Sequence, residues 1–263
     1  YNTSYNKRRW RALIAEKTLE RIKRVVDDYQ TKCIYFVDDD FFINLKRAGE
    51  IARGIIKEGI DVHWQSQGVN ISEAGMMDEE YIRMLEKSGC VRLTLGAESG
   101  SQRMLDLMGK KQTPEKAIEV NRKFSKHHII LYYSFVVGLT TETLADIRKT
   151  TQLALRLLKD NPNARTSPMY IFTPFPGTEM FYLAIKSGLV PPKTLEEWSL
   201  QEWSRYSYSN ANIPYELERG EMLESLYVSS LFLDKKFDEY VVSPIIKIFA
   251  ELYRPVARYR VKN

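Results

Sequence analysis

Cysteine and histidine are scarce in this chain: two of the first, Cys33 and Cys90, and three of the second, His63, His127 and His128. Two cysteines this far apart make no metal-binding pattern, and the histidines have no metal-ligand spacing. Each cysteine opens an apolar run and reads as a small buried hydrophobe. Such sparse cysteine usage fits a reduced, cytoplasmic compartment. No apolar run approaches the roughly 18 residues of a membrane-spanning helix, and no signal peptide is visible. A G-x-x-x-x-G-K-[ST] phosphate loop and a G-x-G-x-x-G dinucleotide fingerprint are both missing, as is a G-x-S-x-G nucleophile elbow. Ordinary kinase, dehydrogenase and serine-hydrolase readings therefore have no residues to stand on. A large one-signed charge is also lacking: the formal net charge is +5 over 263 residues, with acids and bases interleaved. That is the pattern of solvated helix faces, and nucleic acid is not expected as a partner. Only Arg254 to Lys262 is a clearly basic run, read as a solvated tail.

What the chain does contain is a rhythm. Short runs rich in β-branched and aromatic residues at Cys33–Val37, Ile60–Trp64, Val91–Leu95, Ile129–Val137 and Met169–Phe172 read as strands. Helical spacing fills the gaps. Leu19, Ile22, Val25, Val26 and Tyr29 form one face, and Leu45, Ala48, Ala52, Ile55 and Ile56 another, with Asn44 as N-cap and Gly59 as stop. Tyr81, Met84 and Leu85 precede Gly89, Thr113-Pro114 opens a further helix, and Ile147, Leu153, Leu157 and Leu158 mark the next. Alternating strands and helices predict βα units and a parallel sheet. Since a strand feeds each helix in a parallel barrel, the helix ahead of Cys33 implies a further strand before Tyr1. After Gly188 the rhythm stops. Trp198, Trp203, Tyr206 and Tyr208 cluster in residues 189–215, and Leu223, Leu226, Tyr227, Leu231 and Phe232 restore helical spacing in 216–253. The expected organisation is a barrel core over 1–188 and an aromatic-rich connection with a helical extension over 189–263.

In βα folds the loops after the carboxyl ends of the strands carry function. Those segments here are Asp38-Asp39-Asp40-Phe41-Phe42, Gln65 to Asn70, Gly96 to Ser101, Gly138 to Thr143 and Thr173 to Thr178. Three adjacent carboxylates suit an ammonium group or a divalent cation, or simply cap a helix. Glu98 can accept hydrogen bonds from sugar hydroxyls, or act as a charge at a helix N-terminus. Gly138 lets backbone approach a ligand closely, or serves only a turn. Pro174-Phe175-Pro176-Gly177 is a rigid turn by composition.

Taken in order, these segments resemble the radical S-adenosylmethionine (SAM) superfamily, in the branch that often carries an N-terminal cobalamin-binding domain. Tyr1–Arg11 (YNTSYNKRRWR) is similar to the stretch after the third cysteine of the C-x-x-x-C-x-x-C cluster loop. FVDDDFF (36–42) resembles the second-strand end that holds the SAM amino group. GCVRLTLGAESG (89–100) resembles the fourth strand with its ribose-contacting Glu, VGLTTET (137–143) the motif beside adenine, and TPFPGT (173–178) the sixth-strand motif. The likeness covers Tyr1 to about Gly188.

The resemblance implies an α/β fold of the partial parallel (β/α)6 TIM-like type, first strand and cluster loop missing, with a C-terminal helical extension. It implies SAM as cofactor, with Asp38 and Asp39 on its amino group, Glu98 on the ribose, and Gly138 and Leu139 offering backbone to adenine. Gln67, Ser99 and Pro174 join them as cofactor-binding residues, Gln67 standing where related sequences often show Arg. A 4Fe-4S cluster is implied too, its cysteines upstream of Tyr1 and no metal ligand in this chain, and cobalamin would be held by a domain outside it. The implied reaction is SAM cleavage to a 5′-deoxyadenosyl radical, used for methyl transfer or a related C–H functionalisation. No particular catalytic residue is singled out, and the chain alone is expected to be inactive. Expected partners are a small-molecule or lipid-like substrate and a reductant such as ferredoxin or flavodoxin. Two alternatives are a radical SAM methylthiotransferase, which would need a β-rich C-terminal module, and a non-catalytic barrel that binds a ligand or partner. A Schiff-base aldolase would need a strand-end Lys, and none of the five ends offers one.

Overall fold

A computed structural model describes residues 10–199 and 244–262. Its elements run α1 (Ala15–Tyr29), β1 (Cys33–Phe36), α2 (Leu45–Lys57), β2 (His63–Asn70), α3 (Ile71–Met76), α4 (Glu79–Lys87), β3 (Cys90–Glu98), α5 (Gln102–Leu107), α6 (Pro114–Phe124), β4 (Ile130–Val137), α7 (Leu144–Asp160), β5 (Ala164–Ile171), α8 (Glu179–Lys186), α9 (Leu195–Ser199) and α10 (Pro244–Lys262). The five strands form one sheet in the order β1-β2-β3-β4-β5. β1 with β2, β2 with β3, and β3 with β4 pair in parallel. A strictly sequential order has no switch point. Successive crossovers therefore advance in one direction, as in a barrel and unlike a doubly wound sheet.

Two compact units are distinguished. The larger comprises Arg11–Phe135 and Leu144–Tyr170; the smaller takes in Val136–Thr143 and the described residues from Ile171 onward.

Within the larger unit, capping chemistry sets the helix starts. Asn44 accepts from the Arg47 N–H (3.0 Å), Asp78 from Tyr81 (2.8 Å) and Thr113 from Lys116 (3.1 Å). Strand residues alternate. Leu93, Leu95 and Ala97 of β3 and Leu131, Tyr133 and Phe135 of β4 are fully or almost fully buried, whereas Arg92, Thr94, Gly96 and Glu98, with Tyr132 and Ser134, face the other side of the sheet half-buried. Asn121 of α6 is satisfied throughout: its amide donates to the Leu157 carbonyl (2.9 Å), and its oxygen accepts from the Tyr133 hydroxyl and the Asn161 amide (3.2 Å each). His127 lies buried between Glu86 (2.7 Å) and Glu79 (3.3 Å), tying the segment before β4 to α4.

Several boundaries differ from the sequence expectation. The second strand runs over His63–Asn70 and not Ile60–Trp64, so Gln67 is a strand residue. β3 extends to Glu98, three residues past Leu95, and β5 begins at Ala164. Polar and small residues obscured these ends because only one sheet face needs to be apolar. Two short helices, α3 and α5, have too few turns to show a periodicity. Cys90 is buried as expected, and burial pushes its thiol pKa well up; Cys33 is exposed, contrary to expectation, at the start of β1. Leu223, Leu226, Tyr227, Leu231, Phe232, Trp203, Tyr206, Tyr208 and the segment before Trp10 lie outside the described residues. From Pro244 the described chain is helical, with Pro255 inside α10.

Candidate functional site

The loop after β1 is anchored by its own aromatics. Phe41 and Phe42 are buried against Phe36 and Trp64, with ring centroids 4.6 Å apart for Phe36–Phe41, 5.9 Å for Phe41–Trp64 and 6.5 Å for Phe42–Trp64. The Trp64 indole N–H donates to the Ser88 carbonyl (3.0 Å), so the cluster is fixed at a polar point as well as by packing. The phenylalanines pull the loop down while Asp38 and Asp39 stay exposed. Neither carboxylate has a hydrogen bond or ion pair among the described residues. Asp38 also borders a cavity of about 340 Å3 lined mainly by α1, β1 and the loop after it, with Leu13, Ile22, Ile34 and Phe36 in its wall.

β2 braces this loop from the side. Gly68 has φ +69°, and a Cβ there would lie 2.0 Å from the Asp39 carbonyl oxygen. Only glycine combines that conformation with that approach. Gln67 donates to the Val37 carbonyl (3.2 Å) and accepts from the Tyr35 hydroxyl (2.8 Å); its amide is committed to the end of β1.

Asp40 plays a different part from its two neighbours. One of its oxygens accepts from the Asn70 amide (2.6 Å), which also donates to Glu73 (3.2 Å), while the Asn70 N–H donates to the other Glu73 oxygen (3.2 Å). The second Asp40 oxygen is shielded and without a hydrogen-bond partner. Burial, then the adjacent Glu73 charge and a hydrogen bond shared with it, push the Asp40 carboxyl up to about 7, against the opposing N–H groups of Phe42 and Ile43. The folded state thus holds this proton more tightly than the unfolded chain does. The contribution of Asp40 to stability should fall as pH rises from about 4 to about 7 and then level off. Asp40→Asn imitates the protonated acid. It should remove that slope and be about 1–2 kcal/mol more stable than the parent at pH 8, a figure discounted for the partly exposed side chain. The gap should shrink at pH 5, and thermal unfolding at the two pH values reads it out.

At the end of β3, Glu98 has φ +62°, one of two non-glycine residues with positive φ among the described residues, a strained conformation for a side chain of this kind. Its carboxylate folds back over Gly96, where a Cβ would stand 2.6 Å from Oε1, and Oε1 pairs with the Lys110 ammonium at 2.7 Å. Ser99 points into the interior: its hydroxyl meets Thr150 at 2.9 Å and accepts from the Ser101 N–H at 3.1 Å. Ser101 in turn donates to the buried Asp146 (2.6 Å). The register sets Phe36 beside Ser66 and Asn70 beside Gly96. Asp38 and Asp39 follow the carboxyl end of β1 and Glu98 ends β3, with Gln67 inside β2 beside the end of β1, whereas Ser99 anchors the following loop from within.

In the smaller unit, Gly138 (φ +84°) is buried, and its N–H and that of Leu139 (3.2 Å) both donate to the Glu142 carboxylate. The backbone donors expected to face a ligand are therefore held by the chain's own acid. Pro174 lies half-buried in the turn that Thr178 closes, donating to the Phe175 carbonyl (2.7 Å) and capping α8.

Sequence reasoning missed the Asn70–Glu73 pair and the Gly138–Glu142 pair. The first carries a visible signal, an Asn with Glu three residues on ahead of a helix; the second shows only as a carboxylate four residues after a glycine. Among the described residues no group of three His, Cys, Asp or Glu could hold a metal ion, and no helix is long and apolar enough to cross a membrane.

The model of the radical SAM superfamily matches residues 1–154. An uncharacterised methyltransferase of Pyrococcus horikoshii is 31% identical over 183 residues, 70% of this chain and 38% of that protein. The anaerobic magnesium-protoporphyrin IX monomethyl ester cyclase of Rubrivivax gelatinosus is 24% identical over 230 residues, 86% of this chain and 38% of that one. The chain thus spans well under half the length of these curated relatives. Among solved structures, the cobalamin-dependent SAM radical enzyme OxsB, with aqua-cobalamin and SAM bound, aligns with 96% of this chain and 43% of its own at TM-score 0.62 and 16% identity. The radical SAM methyltransferase TsrM from Kitasatospora setae, with cobalamin and a [4Fe-4S] cluster, aligns with 67% of this chain and 34% of its own at TM-score 0.55 and 17% identity. These likenesses establish the fold as a partial TIM-like α/β barrel. With more than half of its length matched by the superfamily model, the chain belongs to the radical SAM superfamily.

Proposed function

We propose that this chain holds SAM at the carboxyl edge of its sheet, as part of a SAM-cleaving radical enzyme that carries out methyl transfer or a related C–H functionalisation. The observation that carries this reading is the exposed, unpaired Asp38–Asp39 carboxylate pair, fixed in place by Phe41, Phe42 and the close approach of Gly68. Two free carboxylates on a rigid loop suit an ammonium group, and the methionyl amino group of SAM supplies one. Glu98, at the end of β3 on the far side of β2, keeps one oxygen free of Lys110 for a ribose hydroxyl. Pro174 stiffens the turn that Thr178 closes. Gln67 supports Val37 and adds positioning to the same loop.

With a reduced 4Fe-4S cluster, bound SAM would supply radical chemistry, and cobalamin would supply a methyl carrier. The described residues fit SAM and do not fit the cluster. The chain has two cysteines, one exposed and one buried, where a cluster needs three or four thiolates. On this reading the two cysteines do not ligate the cluster, and the chain by itself is expected to leave SAM uncleaved. Residues 1–188 form the catalytic barrel in this reading, with 189–263 as an appended connection and helical extension. A reductant such as ferredoxin or flavodoxin, a small-molecule or lipid-like substrate and a cytoplasmic setting complete it.

The test is anaerobic reconstitution of the intact protein with iron and sulfide, followed by reduction in the presence of SAM. Cluster absorbance and 5′-deoxyadenosine should both appear. A protein that carries its full cluster and leaves SAM uncleaved overturns the reading.

A further inference from the structure

The polar face of the sheet carries a cation with no counter-ion among the described residues. Arg92 is the third residue of β3, half-buried, and pairs in register with Gln65 of β2 and Ile130 of β4. Its guanidinium carbon lies 4.0 Å from the Tyr132 ring centroid. Stacking orients the planar group and leaves its edge donors open. No carboxylate pairs with it among the described residues. Its Nε is shielded from solvent without a hydrogen-bond partner, and so is the Thr94 hydroxyl, one pleat along the same face. The Gln65 amide, on the neighbouring strand, likewise makes no hydrogen bond among the described residues. Elsewhere in the unit Lys110 pairs with Glu98, Arg122 and Arg156 with Asp160, and the buried Arg165 donates to the Pro162 and Ala164 carbonyls.

A buried donor left unsatisfied costs about 1–3 kcal/mol, more when charged, and such groups in folded proteins have an explanation. Stacked arginine presenting open donors, with a hydroxyl and an amide beside it, is the donor set that recognises an oxyanion in bidentate fashion. Six residues of strand separate Arg92 from Glu98, roughly 20 Å along the sheet, so this point lies far from the carboxyl edge. We infer that Arg92, Thr94 and Gln65 form an anion subsite on the polar face of the sheet that takes a carboxylate or phosphate group of the substrate, remote from the reacting end. As a statement about substrate it rests on the reading of the carboxyl edge as the SAM-binding end.

The test titrates the intact, cluster-reconstituted protein with sodium phosphate and, separately, with sodium acetate, at fixed ionic strength set by chloride. Calorimetry reads anion binding, and SAM affinity is measured in parallel. The parent should bind one of the two anions at a single saturable site. Tighter phosphate indicates a phosphorylated substrate, tighter acetate a carboxylated one. Arg92→Gln should weaken that binding at least tenfold and Thr94→Val severalfold, with SAM affinity within twofold of the parent. Arg92→Lys keeps the charge without the fork and serves if the Gln variant fails to fold; it should still weaken binding severalfold. Equal anion binding by parent and Arg92 variants, or no saturable anion site in the parent, overturns the subsite. Loss of SAM binding in the parent with the anion site intact would instead count against the proposed function alone.

Discussion

Gly68→Ala should weaken SAM binding by the intact protein at least tenfold. The added methyl group would lie 2.0 Å from the Asp39 carbonyl oxygen and 2.7 Å from that of Asp38, distances at which backbone must move. The loop after β1 is the mobile partner of the two, because β2 is paired with strands on both sides. Its displacement carries away the two carboxylates proposed to hold the amino group, so the effect falls on affinity as well as on stability. Gly59→Ala provides the control. Gly59 has φ +62°, and nothing lies within 4 Å of a Cβ built there. That variant bears only the conformational cost of a left-handed alanine, about 1 kcal/mol, and should bind SAM as the parent does. Should Gly68→Ala bind SAM as tightly as Gly59→Ala, the loop does not hold the ligand.

The largest loss of stability should follow Trp64→Ala, about 3–5 kcal/mol. The side chain is 1% exposed, packs on Phe36, Phe41 and Phe42, and donates to Ser88. Its removal opens a cavity beneath the loop after β1 and leaves the Ser88 carbonyl without its donor. The midpoint of thermal unfolding should drop by roughly 10 °C. Trp64→Phe keeps most of the packing and removes the N–H, so it should cost less, about 1–2 kcal/mol. Equal losses for the two variants would show that the hydrogen bond, and not the aromatic packing, secures the loop.

The order and type of the main elements were legible in the sequence because each βα unit repeats the same signals. Asn44, Thr113 and Gly59 behave as a cap, a cap and a stop, and each lies within two residues of the observed helix end. The carboxyl ends of β2 and β3 were not legible. Gln65, Gln67 and Gly96 lie on the polar face of the sheet, where strand residues need not be apolar, and composition alone reads them as loop. The same cause hid Arg92, whose position in a strand gives no hint that its charge is left unpaired. The candidate site divides in the same way. Asp38, Asp39 and Glu98 could be picked out because strand ends concentrate function. That Asp40 belongs with Asn70 and Glu73, and that Glu142 occupies the Gly138 and Leu139 N–H groups, depends on contacts with side chains up to thirty residues away or on a turn geometry that no periodicity records.

The sequential strand order has a consequence for how the chain is made. Each strand pairs with the one synthesised just before it, about 30 residues earlier. No strand waits for a distant partner, and the entropy of closing each crossover is similar from one unit to the next. The sheet can therefore lengthen one strand at a time as the polypeptide leaves the ribosome, in the amino-to-carboxyl direction. At every stage one edge of the described sheet grows while β1 forms the other.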